Sequence, residues 1–121
     1  MYNNFKQIPP IISKLENLKI LDLNCNYITN LSEEILNHPT LTTLNLEYNN
    51  LQGFPKNIPK RKKKLFINLS VLPITILSVN VINLGLTEKF LSDLHLKNIE
   101  INKKPKLNFK IILTELEFGN L

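Results

Sequence analysis

In the first half of the chain, apolar residues recur at spacings of three and then two, and an asparagine follows each cluster at a fixed distance. In LKILDLNCNYI, Leu18 to Ile28, the leucines stand at 18, 21 and 23, followed by Asn26 and Ile28. A helix would space apolar residues by three and four, and a lone strand by two throughout. LTTLNLEYNNL, Leu41 to Leu51, carries the same pattern 23 residues on, with Leu44, Leu46, Asn49 and Leu51 replacing Leu21, Leu23, Asn26 and Ile28. Stepping back by the same offset pairs Asn3 with Asn26 and Phe5 with Ile28. It also aligns Ile8, Leu31 and Phe54, and Ile12, Ile35 and Ile58, so six columns share one period. A period of this length marks a repeat architecture in which each unit buries its apolar face only against its neighbours.

Each unit predicts a short strand, a turn and a return segment. Leu21 and Leu23, two apart, point to one side of the strand and into the core, while Leu18 enters from the approaching loop. After the strand the backbone groups leave the ladder and need other partners. The Asn side chain supplies two donors and an acceptor, so Asn3, Asn26 and Asn49 are expected to stack as a structural ladder along the turns. LSEEILNHP then reads as a short helical or irregular segment, with Ser32 as its N-cap.

These residues resemble the leucine-rich repeat superfamily, whose consensus is L-x-x-L-x-L-x-x-N-x-L. The run FKQIPPIISKLENLKILDLNCNYI is most similar to the intracellular type with a repeat of roughly 23 residues, in which Pro often follows the second apolar position, as Pro9 and Pro55 do. The resemblance implies an α/β leucine-rich repeat solenoid: a short parallel sheet on the concave face, helical or irregular segments on the convex side. It also implies protein binding on the concave face.

The regular repeats cover residues 3–58, and 59–121 read as degenerate repeats or a divergent cap within a single domain, 1–121. Ile67 and Leu69 keep the strand pair, but the Asn column falls on Leu72. LSDLHLKNIEI offers a further unit with its strand starting at Leu94, and LTELEFGNL another at Leu116, so an insertion is expected within 70–90. Both ends of the chain are abrupt, which suggests a fragment, or ends covered by a partner or by self-association.

Composition narrows the chemistry. The chain is 43% hydrophobic over 121 residues, enough for one core. No apolar run reaches the roughly 18 residues of a membrane span. No basic-then-apolar leader begins at Met1, and the single cysteine, Cys25, fits a reducing compartment, so a cytoplasmic location is expected, with nuclear as the alternative. Cys25 reads as a small residue beside the Asn turn. No metal-ligand spacing, phosphate loop or nucleophile elbow is present, so neither enzyme activity nor a cofactor is expected. His38, before Pro39, is expected to be solvated.

Charge adds one motif. Lys60, Arg61, Lys62, Lys63 and Lys64 form a basic run in a chain of formal net charge +5. It reads first as a solvated loop, in which Arg61 and Lys64 replace the apolar column of Leu15 and Leu18. The alternative is a nuclear or nucleic-acid contact, although no aromatic residue interleaves the run to stack bases.

Strand alternation locates the expected partner surface. With Leu21 and Leu23 inward, Ile20, Asp22 and Asn24 face outward, followed by Thr43, Asn45 and Glu47, then Phe66, Asn68 and Ser70. The later units are expected to add Asp93, His95, Lys97, Glu115 and Glu117. That set holds five acids and one lysine, a formal −4 on a chain of +5. It suits a protein partner of basic or mixed charge and repels nucleic acid.

Overall fold

The computed structural model describes residues 4–71 and 86–105. Among them, β1 (Ile20–Asp22), β2 (Thr43–Asn45), β3 (Leu65–Val71) and β4 (Ile99–Pro105) form a parallel sheet in the order β1-β2-β3-β4. Leu21, Leu44, Ile67 and Ile101 stand in one register row, and Ile20, Thr43, Phe66 and Glu100 in the next. Parallel neighbours need a crossover connection between them. A 3-10 turn at Pro10–Lys14 precedes β1, helix α1 (Glu33–Leu36) lies between β1 and β2, and helix α2 (Glu88–Leu96) between β3 and β4.

The core lies on one side of this sheet. Leu21 and Leu23, Leu44 and Leu46, and Leu65, Ile67 and Leu69 are buried, with Ile28, Leu31, Ile35, Leu36 and Leu41 packed beneath them. Full burial of a side chain such as Leu44 contributes about 1.5–3 kcal/mol. Short strands suffice because each adds two inward residues to a row that the neighbouring strands continue. α1 starts at Ser32, whose hydroxyl accepts the Ile35 N–H at 3.2 Å, and Ile35 and Leu36 turn inward from it.

The asparagines complete the turns. Asn26 Oδ1 accepts the Phe5 N–H at 3.1 Å, and its Nδ2 donates to the carbonyls of Leu23 and Asn24. Asn49 does the same one repeat later, accepting Ile28 N–H at 2.9 Å and donating to Leu46 and Glu47, with Leu23 O as a further acceptor at 2.8 Å. The residue before each Asn is left-handed, Cys25 and Tyr48 both at φ 58. That reversal swings the chain off the strand and leaves carbonyls for the Asn amide to collect. Asn3 lies outside the described residues.

The fourth unit departs from the expected register. Leu94 does not start a strand; it is the buried residue of α2, and Leu96 on the same helix is 72% exposed. Phe90, Leu91 and Leu94 instead turn one helical face onto the core, with the Phe90 ring 5.4 Å from that of Phe54. Thr87 caps the helix by accepting the Phe90 N–H at 3.1 Å, and Asn98 at φ 63 ends it. The strand begins at Ile99, so Ile67 pairs with Ile101, 34 residues on. The 11 residues beyond the repeat period fall between β3 and β4. The unit expected at Leu116 lies outside the described residues, as do Glu115 and Glu117.

Candidate protein-interaction surface

The sheet face opposite the core has no described element across it. Ile20 is 66% exposed there and Phe66 41%, while their strand neighbours Leu21 and Ile67 are buried. Alternation alone accounts for this, since a single strand cannot turn adjacent side chains to the same side. Asp22 Oδ1 accepts the Asn24 N–H, and Asn45 Oδ1 accepts the Glu47 N–H, both at 3.1 Å. The second outward residue of each of these strands thus also braces the start of its own turn. Farther along, Asn102 Nδ2 donates to Asn68 Oδ1 at 3.0 Å, joining β3 and β4 on this face.

The fourth strand changes the face's charge. Asp93, His95 and Lys97 do not stand in a strand row; Asp93 and His95 lie on α2 and Lys97 caps it. The outward row instead receives Glu100 opposite Phe66 and Asn102 opposite Asn68. Among the described side chains, the acids of the face are therefore Asp22, Glu47 and Glu100. Lys64 Nζ approaches Glu100 at 3.9 Å and stands 5.9 Å from the Phe66 ring centre, and His95 Nδ1 also contacts the Glu100 carboxylate. Glu100 is thus flanked by basic groups, whereas Asp22 sits at the other edge of the sheet.

The basic run is divided by the fold. Lys60, Lys62, Lys63 and Lys64 are exposed, but Arg61 is buried, with 6% of its surface accessible. Its guanidinium donates to Leu36 O at 2.6 Å, His38 O at 2.8 Å and Leu41 O, and its Nε donates to Lys63 O at 3.1 Å. Leu36 ends α1, so the cation also meets the negative end of that helix. Burial lowers the Arg61 pKa from its ordinary value by desolvating the charged form. The expectation of a solvated loop is corrected for Arg61 alone, which replaces the aliphatic residue of its column by reaching the backbone of the preceding repeat.

His38 does the same. It is 2% exposed, against the expected solvation. Its Nδ1 accepts the N–H groups of Thr40 and Leu41 at 3.3 and 3.2 Å, which places the ring proton on Nε2, donating to Leu15 O at 2.8 Å. Leu15, His38 and Arg61 are spaced by 23, so the repeat period itself was the signal that could have linked them. Asn98 extends the series, donating to Arg61 O at 2.7 Å, while Arg61 N–H and Leu65 N–H donate to Lys97 O and Asn98 O. A second polar column thus runs where the chain enters the strands, at the end opposite the Asn turns.

A cleft of about 570 Å³ lies between the Pro10–Lys14 turn and the loop entering α1, lined by Ile8, Pro9, Leu31 and Ile35, with Ser13 Oγ donating to Glu34 at 3.4 Å. Cys25 is partly buried in its left-handed turn. Among the described residues no three His, Cys, Asp or Glu side chains gather to hold a metal, and no helix is long and apolar enough to cross a membrane.

The family model for the leucine-rich repeat matches residues 1–51, and the parallel sheet with its few short helices is compatible with that family's α/β fold. That segment is similar to the leucine-rich repeat, and the match supports a leucine-rich repeat family. Comparison with curated proteins and with solved structures finds no match. Leucine-rich repeat domains generally mediate protein–protein interaction and are typically non-enzymatic.

Proposed function

We propose that this chain is a non-catalytic interaction module or scaffold, a short leucine-rich repeat solenoid that binds a protein partner on the open face of its sheet. The observation that carries the reading is the pair of exposed apolar side chains, Ile20 and Phe66, in a row otherwise polar, with Asp22 beside the first. Apolar anchors within a polar surround are what a protein interface uses. The partner is of basic or mixed charge, and Ile20, Asp22, Asn24, Thr43, Asn45, Glu47, Phe66 and Asn68 form the contact set.

Affinity capture from the native lysate tests this, comparing the chain with its Asp22→Lys/Glu47→Lys variant, each with and without nuclease. Because Asp22 braces the Asn24 N–H, an Asp22→Asn/Glu47→Gln variant runs beside it; Asn already fills the equivalent position 45. Both variants should lose the same proteins, and equal retention by all three removes the open face from consideration. Nuclease-sensitive retention that ignores the variants would shift the function to the exposed lysines of the 60–64 run.

A further inference from the structure

The open face is striped across its strands. Ile20, Thr43 and Phe66 form one row and Asp22, Asn45, Asn68 and Asn102 the next. Past the strand ends, Cys25 N–H donates to Glu47 O and Tyr48 N–H to Ser70 Oγ, which brings Asn24, Glu47 and Ser70 together as a continuation. Ile20 and Phe66 are separated by two strand spacings, about 10 Å, with Thr43 between them. From this geometry, and resting on the interaction reading above, we propose that the first row seats a basic amphipathic helix of a protein partner, lying across the strands with apolar residues i and i+7 on Ile20 and Phe66.

Spacing selects the helix. Residues i and i+7 lie on one helical face about 10.5 Å apart along the axis. An extended strand presents same-face side chains about 6.7 or 13 Å apart, and so cannot seat one on each anchor. From Ile20 to Asn24 the extended chain, carried past β1 by the Leu23 and Cys25 N–H bonds to Asn45 O and Glu47 O, advances about 13 Å, which accommodates one helix of roughly 10–12 Å diameter.

Charge then sets the direction. Asp22 is exposed in the row beside Ile20, whereas Glu100 beyond Phe66 already meets Lys64 and His95. The partner's basic side chain flanks the residue on Ile20, and Lys64 beside the Phe66 ring disfavours a second cation at that end.

Nuclear magnetic resonance titration with three synthetic peptides of matched charge tests the inference. The first is an alanine-based helix with Leu at i and i+7 and Lys flanking the first Leu. The second carries the same Leu and Lys residues at strand spacing. The third is proline-rich with Leu at i and i+3, about 9.3 Å apart. The helical peptide should bind at least about fivefold tighter than the others and shift the Thr43 amide. Ile20→Ser or Phe66→Ser, both at exposed positions, should each weaken it at least about fivefold while circular dichroism stays unchanged.

Equal binding of the strand or proline-rich peptide, or indifference to both serine variants, overturns the helix. If lysate proteins still depend on Asp22 and Glu47 in that case, the interaction reading stands and only the occupant is wrong. If neither capture nor titration responds to open-face substitutions, both fall.

Discussion

Arg61 puts a cation where the repeat offset places Leu15, and four backbone carbonyls receive it. A guanidinium buried among carbonyls persists because every arm of its fork finds an acceptor, and an unmet carbonyl there would lose its hydrogen bond without regaining water. Arg61→Ala is therefore expected to cost about 2–5 kcal/mol in urea unfolding. Arg61→Lys should recover little of it, since an ammonium cannot span the same acceptors. Lys62→Ser, on the exposed part of the run, should change stability by less than about 0.5 kcal/mol. Equal effects at 61 and 62 would show that the buried bonds contribute nothing. Asn49→Ala is expected to cost about 1–3 kcal/mol, because Ile28 N–H and the turn carbonyls lose their partner.

At the scale of elements, the segment 88–101 separates two readings of the same letters. Leu91, Leu94 and Leu96 can be fitted to the three-then-two spacing of a repeat strand, which would bury Leu94 and Leu96 alike. In the fold only Leu94 is buried, because Thr87 caps a helix that turns Phe90, Leu91 and Leu94 to one side. Leu94→Ala should cost about 2–5 kcal/mol and Leu96→Ala less than about 0.5 kcal/mol, measured by denaturant unfolding. Comparable losses at both positions would restore the strand reading. The spacing of three between Leu91 and Leu94 was ambiguous taken alone; the capping threonine and Phe90 were the local signals for a helix.

Across the whole molecule, side chains of one repeat bond to the backbone of the one before. His38 reaches Leu15, Arg61 reaches His38, and Asn49 reaches Ile28. Such cross-links couple neighbouring strands, so Leu44→Ala, at the centre of the regular repeats, is expected to cost about 2–5 kcal/mol. It should also raise amide exchange at Leu21, Leu44 and Ile67 together. Loss of protection confined to β2 would mean that the repeats open independently. Thr43→Ala, one residue away on the open face, should cost little.

The 23-residue period by itself determined the inward rows of the first three strands and the outward positions of Ile20, Asp22, Thr43 and Phe66, because alternation leaves a strand no other choice. It also marked Asn26 and Asn49, whose short amides suit a turn that recurs at constant spacing. What it could not determine was the environment of a polar side chain: whether His38 and Arg61 point to water or to a neighbour's carbonyls depends on where that neighbour's chain ends its turn. Nor could it set the partner of β3, since the longer connection to β4 breaks the period. Only the packed structure brings Ile101 beside Ile67 and Glu100 beside Lys64, because register across a variable connection is chosen by which residues can be buried together.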